Sequence, residues 1–427
     1  MSRCERICLD GHAYFNALPL DLNAKLNKHR SLFTSHFSFF TFHFFVQMLS
    51  PLSRPFYVMA KPVGSACNLR CTYCYYLDKP RNVMSDELLE EFIKQYIGMQ
   101  TTDSVLFTWH GGEPTMRGLD FFRRVVQLQR QYAAGRHIDN ALQTNGTLLT
   151  DDWCRFLHDE GWLVGISIDG PEHLHDAYRR DAAGKPTHAQ VLRGIARLKQ
   201  FDVEWNAMAT VNQATALEPE TFYHFFKEIG CRYLQFTPVV EREHGAVAPY
   251  SVTPEAWGSF LCTLFDEWVR EDVGEVFVQI FDATLAGWMD VEPGVCTLAR
   301  TCGHAAAIEA DGSVFACDHF VFPDYRLGNI SETPLLTLLQ SERQRTFGEA
   351  KRSALSRRCR QCQWLFACHG ECLRNRFVTG ADGDEHQNYL CEGYKRYFSY
   401  VAPAMDFMRS ELLAGRPPAN VMHLFHR

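Results

Sequence analysis

The sequence lacks the features that mark several large classes of protein. It has no run of basic residues, and 43 Lys and Arg stand against 50 Asp and Glu, a net charge of −7. We therefore expect no nucleic-acid partner. Residues 55–427 contain no internal repeat and no low-complexity linker. What is left is an ordinary globular composition over 427 residues, enough for a barrel-sized domain and a smaller second one.

Residues 31–53 lack all four charged residue types and are rich in phenylalanine. The stretch is long enough to span a membrane. However, His, Ser and Thr interrupt it, and the small-residue cleavage site of a secretory signal is absent. We expect 1–54 to be an N-terminal extension that the function does not require, with a peripheral membrane anchor as the alternative. The protein itself is expected to be cytoplasmic and monomeric, without a membrane partner.

From residue 55 to 290, short apolar runs alternate with amphipathic stretches of helical length. The predicted strands are 56–60, 105–109, 138–142, 163–168, 203–211 and 233–238. The predicted helices are 86–97, 119–132, 151–160, 189–200, 219–229 and 254–269. Six strand–helix units predict an α/β domain with a parallel sheet, either open or curved into a partial barrel, because a closed barrel needs eight.

The pattern changes after about residue 290. Cysteines become dense, helical periodicity weakens, and 310–313 is typical of a hairpin turn between strands 307–309 and 314–317. We expect a small cysteine-organised domain at 291–400. A C-terminal helix over 401–413 and a tail complete the segment 401–427.

Three of the 16 cysteines, Cys67, Cys71 and Cys74, form a C-x3-C-x2-C motif directly after the first predicted strand. Three thiolates on one loop can hold three irons of a 4Fe-4S cluster and leave the fourth iron open. A structural zinc site is the alternative. Zinc needs a fourth ligand, and no further Cys or His occurs between Ala60 and Trp109. The motif therefore favours a reactive cluster.

Eight further cysteines lie in the predicted second domain. They are Cys296, Cys302, Cys317, Cys359, Cys362, Cys368, Cys372 and Cys391. Eight thiolates suffice for two fully ligated 4Fe-4S clusters. Two zinc sites or a set of disulfides would use the same residues, and the spacing alone does not prove a division into sets. Cys154, Cys231 and Cys262 fall in or beside apolar patterns and are expected to be small core residues.

The cysteine loop is in register with motifs at the ends of the next three strands. Gly111-Gly112-Glu113-Pro114 follows the second strand, Gln143-Thr144-Asn145-Gly146 ends the third and Ser167-Ile168-Asp169-Gly170 ends the fourth. This combination resembles the radical S-adenosylmethionine (SAM) superfamily. The resemblance implies a partial (β/α)6 barrel. It also implies a SAM site formed by Tyr73, Gly112, Glu113, Ser167, Arg179 and Leu234. Paired glycines permit close backbone approach, and a carboxylate suits the ammonium group of SAM.

The later cysteines resemble the SPASM extension of radical SAM enzymes that modify peptides and proteins. This resemblance implies two auxiliary 4Fe-4S clusters, and so three clusters in all. One would be held by Cys296, Cys302, Cys317 and Cys372. The other would be held by Cys359, Cys362, Cys368 and Cys391.

Within this group, the sequence most closely resembles the anaerobic sulfatase-maturating enzymes, above all in Cys317-Asp318-His319-Phe320. The resemblance covers roughly 56–422 and implies oxidation of a Cys or Ser in a sulfatase polypeptide to formylglycine (3-oxoalanine). Asp318 would accept the proton of the substrate SH or OH, as a carboxylate within hydrogen-bond reach can. A turn carboxylate that caps a backbone N–H is the alternative. A one-electron donor such as flavodoxin or ferredoxin is the second implied partner.

Two other functions stay open at this point. A different SPASM-type maturase, acting on a ribosomal peptide or another protein, would share every cluster cysteine but need not keep an acid at position 318. A non-enzymatic metal-bound regulator would need neither the Gly-Gly-Glu-Pro motif nor an open three-cysteine site.

Overall fold

A ten-stranded sheet forms the centre of the fold. The computed structural model describes residues 56–425, so the predicted extension 1–54 lies outside the described residues. The strands are β1 (Tyr57–Ala60), β2 (Ser104–Trp109), β3 (His137–Thr144), β4 (Leu163–Ser167), β5 (Trp205–Val211), β6 (Tyr233–Pro238), β7 (Arg242–Glu243), β8 (Ala246–Val247), β9 (Phe277–Val278), β10 (Ala305–Ile308), β11 (Ser313–Phe315) and β12 (Arg326–Asn329). Of these, β7 and β8 form a separate two-stranded hairpin, and the other ten form the central sheet.

Helices follow most strands of the first half and dominate the C-terminal part. They are α1 (Asp86–Met99), α2 (Leu119–Tyr132), α3 (Asp151–Asp159), α4 (Glu172–Tyr178), α5 (His188–Gln200), α6 (Pro219–Glu228), α7 (Pro254–Glu271), α8 (Gln279–Trp288), α9 (Leu335–Leu339), α10 (Glu342–Ser353), α11 (Arg357–Arg360), α12 (Leu365–Cys368), α13 (Cys391–Leu413) and α14 (Met422–Phe425). None of the helices between residues 56 and 425 has the length and apolar character needed to cross a membrane.

The sheet is mostly parallel and continues across both halves of the chain. Strands β1 to β6 lie side by side in chain order, and β9 extends them beyond β6. On the other side, β10 pairs parallel with β1, and β11 and β12 continue antiparallel. Because β12 and β9 are the two edges, the sheet is open. The predicted α/β fold is confirmed, and the predicted cysteine-rich part joins the same sheet through β10.

Local sequence signals explain how the helices begin and which face they bury. The Ser85 hydroxyl accepts a hydrogen bond from the Leu88 N–H and so caps α1, and threonines cap α3 and α7 in the same way. In α1, Phe92 and Tyr96 are fully buried one turn apart. Burial of each such side chain contributes roughly 1.5–3 kcal/mol, which fixes the helix against the sheet.

The second half of the chain both confirms and corrects the sequence analysis. The predicted hairpin exists, since β10 and β11 pair antiparallel around its turn. The predicted start of the C-terminal helix at residue 401 was wrong, because α13 begins at Cys391 and Pro403 lies inside it. Proline favours the first turn of a helix. Here, however, the buried apolar face of α13 includes Tyr394, Tyr397 and Phe398, so the helix extends back to Cys391.

Two glycines allow α7 and α13 to pack closely. A Cβ on Gly393 would lie 2.2 Å from the Pro254 carbonyl oxygen, and one on Gly258 would lie 2.8 Å from Gly393 Cα. A side chain at either position would push the helices apart. The contact therefore fixes the first turn of α13, and with it Cys391.

Candidate active site

The C-x3-C-x2-C loop is held against the Gly-Gly pair that follows β2. Its three cysteines line a cavity of about 340 Å³. The Gly112 N–H donates to the Gly64 carbonyl at 2.7 Å, and the Glu113 N–H donates to the Ala66 carbonyl at 2.8 Å. A Cβ on Gly112 would lie 2.0 Å from the Ala66 oxygen, so this contact requires glycine.

Four of the predicted SAM contacts, Tyr73, Gly112, Ser167 and Arg179, line the same cavity. Several buried polar atoms of the cavity wall have no hydrogen-bond partner among residues 56–425, including Gln143 Oε1, Arg179 Nε and Gln235 Oε1. Folded proteins rarely leave buried polar atoms unpaired. The wall therefore suits a polar ligand, and the ammonium, carboxylate and hydroxyl groups of SAM fit this set of donors and acceptors.

Arg179 is held next to the three-cysteine loop by a buried network. Its Nη1 donates to the Tyr73 hydroxyl at 3.0 Å, and that hydroxyl donates to Asp169. The Thr210 N–H donates to the other Asp169 oxygen at 2.8 Å. Burial raises the pKa of the Cys71 thiol, and the Arg179 charge opposes this rise. The guanidinium therefore favours the anionic form of a cysteine that a cluster requires.

Two predicted SAM contacts, Glu113 and Leu234, do not line the cavity. The buried Glu113 carboxylate accepts hydrogen bonds from Thr144 Oγ1 and from the Asn145 N–H, each at 2.7 Å. Burial raises its pKa, although these donors oppose the rise. Leu234 packs in the apolar core. Glu113 thus ties the end of β3 to the Gly-Gly turn, and a direct contact of either residue with SAM stays a prediction.

The eight later cysteines gather in two sets of four. The first set lines the large cavity and consists of Cys296, Cys302, Cys317 and Cys372. The second set lines a separate cavity of about 30 Å³ and consists of Cys359, Cys362, Cys368 and Cys391. These are the two sets that the resemblance implied. Four thiolates would suffice for a fully ligated cluster, whereas the three of the first loop would leave one iron open.

No disulfide bond links the cysteines of residues 56–425. Cys154, Cys231 and Cys262 are buried, which confirms their expected place in the core.

Asp318 lies on the wall of the large cavity, directly after Cys317. It is only 4% exposed, forms an ion pair with Lys61 and accepts a hydrogen bond from the Tyr75 hydroxyl. The Lys61 Nζ also lies 4.0 Å from a Glu309 carboxylate oxygen. Among the described residues, the two partners of the Asp318 carboxylate named here, Lys61 and Tyr75, both contact it through their side chains and not through a backbone N–H. The alternative role of Asp318 as a cap on a backbone N–H therefore gains no support.

The surroundings of Asp318 keep it ionised. Burial alone would raise its pKa, but the Lys61 ammonium holds the pKa below its usual value. Burial lowers the pKa of His110 and of His319 to about 4, so both imidazoles are neutral at pH 7. Asp318 is therefore a buried carboxylate in its charged form, on the wall of the cavity that the three-cysteine loop also lines.

The pairing of β1 with β10 explains how these charged groups meet. Lys61 and Glu309 are the first residues after two neighbouring parallel strands, and the Lys61 N–H donates to the Ile308 carbonyl at 3.0 Å. Asp318 returns to the same place through β11. Lys61, Tyr75 and Glu309 were not predicted from the sequence. One signal was present, namely a lysine directly after a buried strand, where sites form in parallel sheets.

Comparison with known families defines the class of protein. The model of the radical SAM superfamily matches residues 62–226, and that of an iron–sulfur cluster-binding domain, SPASM, matches residues 296–363. With the parallel sheet and the cysteine-lined cavities, these matches define a radical SAM enzyme with a SPASM domain. Iron–sulfur clusters and SAM are therefore its cofactors.

Individual relatives narrow this class. The chain is 55% identical over 396 residues to a serine-type anaerobic sulfatase-maturating enzyme of Bacteroides thetaiotaomicron, covering 87% of this chain and 96% of that one. It is 34% identical over 363 residues to a cysteine-type enzyme of Clostridium perfringens, covering 82% and 97%. The chain therefore belongs to the family of the anaerobic sulfatase-maturating enzymes.

Solved structures agree with this assignment. The structure of anSMEcpe with bound AdoMet and the Cp18Cys peptide has a TM-score of 0.77 and 33% identity, covering 83% of this chain and 99% of that one. Streptococcus suis SuiB bound to its precursor peptide SuiA has a TM-score of 0.60 at 13% identity, covering 87% of each chain. The second likeness concerns the fold alone.

Proposed function

We propose that this protein oxidises a serine or cysteine side chain of a sulfatase to formylglycine. The observation that carries the proposal is the position of Asp318, whose buried, ionised carboxylate shares one cavity with the three-cysteine loop and a four-cysteine set. The oxidation needs a hydrogen-atom acceptor, a proton acceptor and an electron acceptor within reach of one side chain. Relatives named as serine-type and cysteine-type sulfatase-maturating enzymes support the same activity.

The proposed cofactors are SAM and three 4Fe-4S clusters. The C-x3-C-x2-C loop would hold the first cluster, and each set of four cysteines would hold one auxiliary cluster. Tyr73, Ser167 and Arg179 would contact SAM beside the first cluster. When bound, these groups supply the radical that removes a hydrogen atom from the substrate Cβ and the acceptor for the second electron.

The chain's own residues supply the base. After Cβ has lost a hydrogen atom, formation of C=O or C=S requires the loss of one electron and of the side-chain O–H or S–H proton. Asp318 accepts this proton, while Lys61 and Tyr75 hold its two carboxylate oxygens in place. Loss of the electron makes the proton strongly acidic, so a carboxylate of low pKa is basic enough. A thioaldehyde formed from cysteine would then hydrolyse to the aldehyde.

The remaining partners follow from this chemistry. We propose that serine is the better target residue, because the relative at 55% identity is a serine-type enzyme whereas the cysteine-type relative is 34% identical. A flavodoxin or ferredoxin would deliver the first electron. The enzyme would act as a monomer in the cytoplasm, where thiols and clusters stay reduced.

An anaerobic assay on reconstituted full-length protein tests the proposal. Reductant and SAM are added with a peptide containing Ser-x-Pro-x-Arg, or its Cys form. Mass spectrometry follows the peptide, and chromatography follows 5′-deoxyadenosine. The expected product is formylglycine, formed faster from the serine peptide. Formation of 5′-deoxyadenosine without any change in either peptide would contradict the proposed substrate.

Two variants test the role of Asp318. In Asp318→Asn, peptide oxidation is expected to fall by about 10²–10⁴-fold, whereas 5′-deoxyadenosine still forms. Asp324→Asn, which changes an exposed carboxylate in the same segment, is the matched control and should retain full activity. Equal activity of the two variants would exclude Asp318 as the proton acceptor.

A further inference from the structure

Two buried cations lie beside the first four-cysteine set without a carboxylate in ion-pair contact among residues 56–425. Lys351, on α10, is fully buried. Its Nζ donates to the Cys296 carbonyl and, at 2.8 Å, to the Thr297 carbonyl. Its own carbonyl accepts a hydrogen bond from Arg376 Nη1 at 2.6 Å. The lysine thus contacts the backbone of a residue that supplies a proposed cluster ligand.

Arg376 is the second buried cation, and it also bonds to main-chain carbonyls. Besides Lys351, it donates to the carbonyls of His369 and Gly370 at 2.8 Å and of Glu371 at 3.1 Å. These three residues have φ values of 46°, 74° and 53°, and left-handed backbone at two non-glycine residues is costly. They form the segment between Cys368 of one set and Cys372 of the other. Arg376 therefore stabilises the strained connection between the two sites.

Buried charge without a counter-charge is strongly unfavourable. The buried carboxylate of Glu371 in this region is hydrogen-bonded instead to Asn375 and Asn388, whose amide groups donate to it at 3.0 and 2.6 Å. The Lys351 Nζ lies instead against the backbone of the first four-cysteine set, where it donates to the carbonyl of Cys296. Four thiolates around a cluster would supply the missing negative charge.

We propose that Lys351 and Arg376 compensate the charge of the cluster held by Cys296, Cys302, Cys317 and Cys372 and raise its reduction potential. This inference rests on the auxiliary clusters of the proposed function. A cluster with four thiolates is an anion that gains one further negative charge on reduction. A nearby buried cation therefore stabilises the reduced form more than the oxidised form. This set includes Cys317, which directly precedes the proposed base Asp318. The two cations would therefore make this cluster, and not the one held by the second set, the better acceptor for the electron that the substrate loses.

The proposed effect on the reduction potential can be tested without an activity assay, by a redox titration that is monitored by electron paramagnetic resonance. The full-length chain carrying Cys67→Ala, Cys71→Ala and Cys74→Ala leaves only the auxiliary sites, so two potentials are measured. Lys351→Gln keeps a hydrogen-bond donor and removes the charge, and Lys351→Arg keeps the charge. Arg352→Gln removes the exposed neighbouring cation of the same helix and is the matched control. Iron and sulfide content are measured for every variant.

Lys351→Gln is expected to shift one of the two potentials to a more negative value, while Lys351→Arg and Arg352→Gln leave both unchanged. Loss of one cluster in Lys351→Gln but not in Lys351→Arg would support the same requirement for charge. Two unchanged potentials in Lys351→Gln with full iron content would overturn the inference, as would equal loss of iron from both Lys351 variants. A parent chain that holds no auxiliary cluster would overturn the proposed cofactors as well as this inference. Unchanged potentials or equal loss of iron would overturn the inference alone, so the two failures can be told apart.

Discussion

Replacement of Lys61 by methionine tests the charged group around Asp318. Lys61 is fully buried, and its ammonium pairs with Asp318 and lies 3.6 Å from the centre of the Tyr76 ring. Methionine keeps most of the side-chain volume but leaves the Asp318 carboxylate buried without its cation. Breaking a buried ion pair in this way costs about 3–5 kcal/mol.

The assay is thermal unfolding of anaerobically reconstituted protein. At about 2 °C per kcal/mol, the Lys61→Met variant should unfold roughly 6–10 °C below the parent protein. The double variant Lys61→Met/Asp318→Asn removes both charges and should recover part of this loss, because no unpaired charge remains. Lys94→Met, which breaks the exposed contact with Glu91, is the matched control and should change little.

Peptide oxidation by the Lys61 variants provides a second readout. Lys61→Arg keeps the positive charge and is expected to retain more activity than Lys61→Met at equal iron content. Unfolding of Lys61→Met at the parent temperature would contradict a stabilising ion pair between Lys61 and Asp318. A double variant less stable than Lys61→Met would contradict it too, since the two charges would then not be coupled.

Three further predictions concern the framework of the site. Gly112→Ala places a Cβ 2.0 Å from the Ala66 oxygen, so equilibrium dialysis should show strongly weakened SAM binding; unchanged binding would mean that the loop contact is not required. Gly393→Ala places a Cβ 2.2 Å from the Pro254 oxygen and displaces Cys391, so iron analysis should show the loss of one cluster, and full iron content would contradict this. Burial lowers the pKa of His175 to about 2, so the unfolded state binds a proton that the folded state does not, and stability should fall as pH drops below about 6.5. The unfolding temperature of His175→Gln should fall less between pH 7.5 and 5.5 than that of the parent protein. Equal falls in the two proteins would show that His175 does not cause this pH dependence.

Much of the site could be predicted from the sequence because its ligands come in short, local motifs. The spacing of the cysteines in the C-x3-C-x2-C loop and in the run from Cys359 to Cys372 can be read directly from the sequence. The ends of the first parallel strands could be located from apolar runs, whereas the SAM contact of Ser167, which lies on the cavity wall, was implied only by the family resemblance. For Asp318, the clues were its neighbour Cys317 and the family resemblance of Cys317-Asp318-His319-Phe320.

The contacts that depend on tertiary pairing could not be predicted in the same way. Lys61 meets Glu309 and Asp318 because β1 pairs parallel with β10, and no local pattern connects strands so far apart in the chain. Glu113 shows the converse case. Its motif suggested a ligand contact, whereas its hydrogen bonds to Thr144 and Asn145 give it a role in the framework.

Transfer of deuterium from the substrate shows whether the hydrogen atom is taken from the Cβ of the target serine. The reconstituted enzyme is incubated with SAM, reductant and a Ser-x-Pro-x-Arg peptide deuterated at the serine Cβ. We expect formylglycine in the peptide and deuterium in the 5′-deoxyadenosine, because the hydrogen atom would be taken from Cβ within the cavity that Asp318 lines. Formylglycine with unlabelled 5′-deoxyadenosine, or labelled 5′-deoxyadenosine with equal product from Asp318→Asn, would contradict the proposed roles of the cavity and its base.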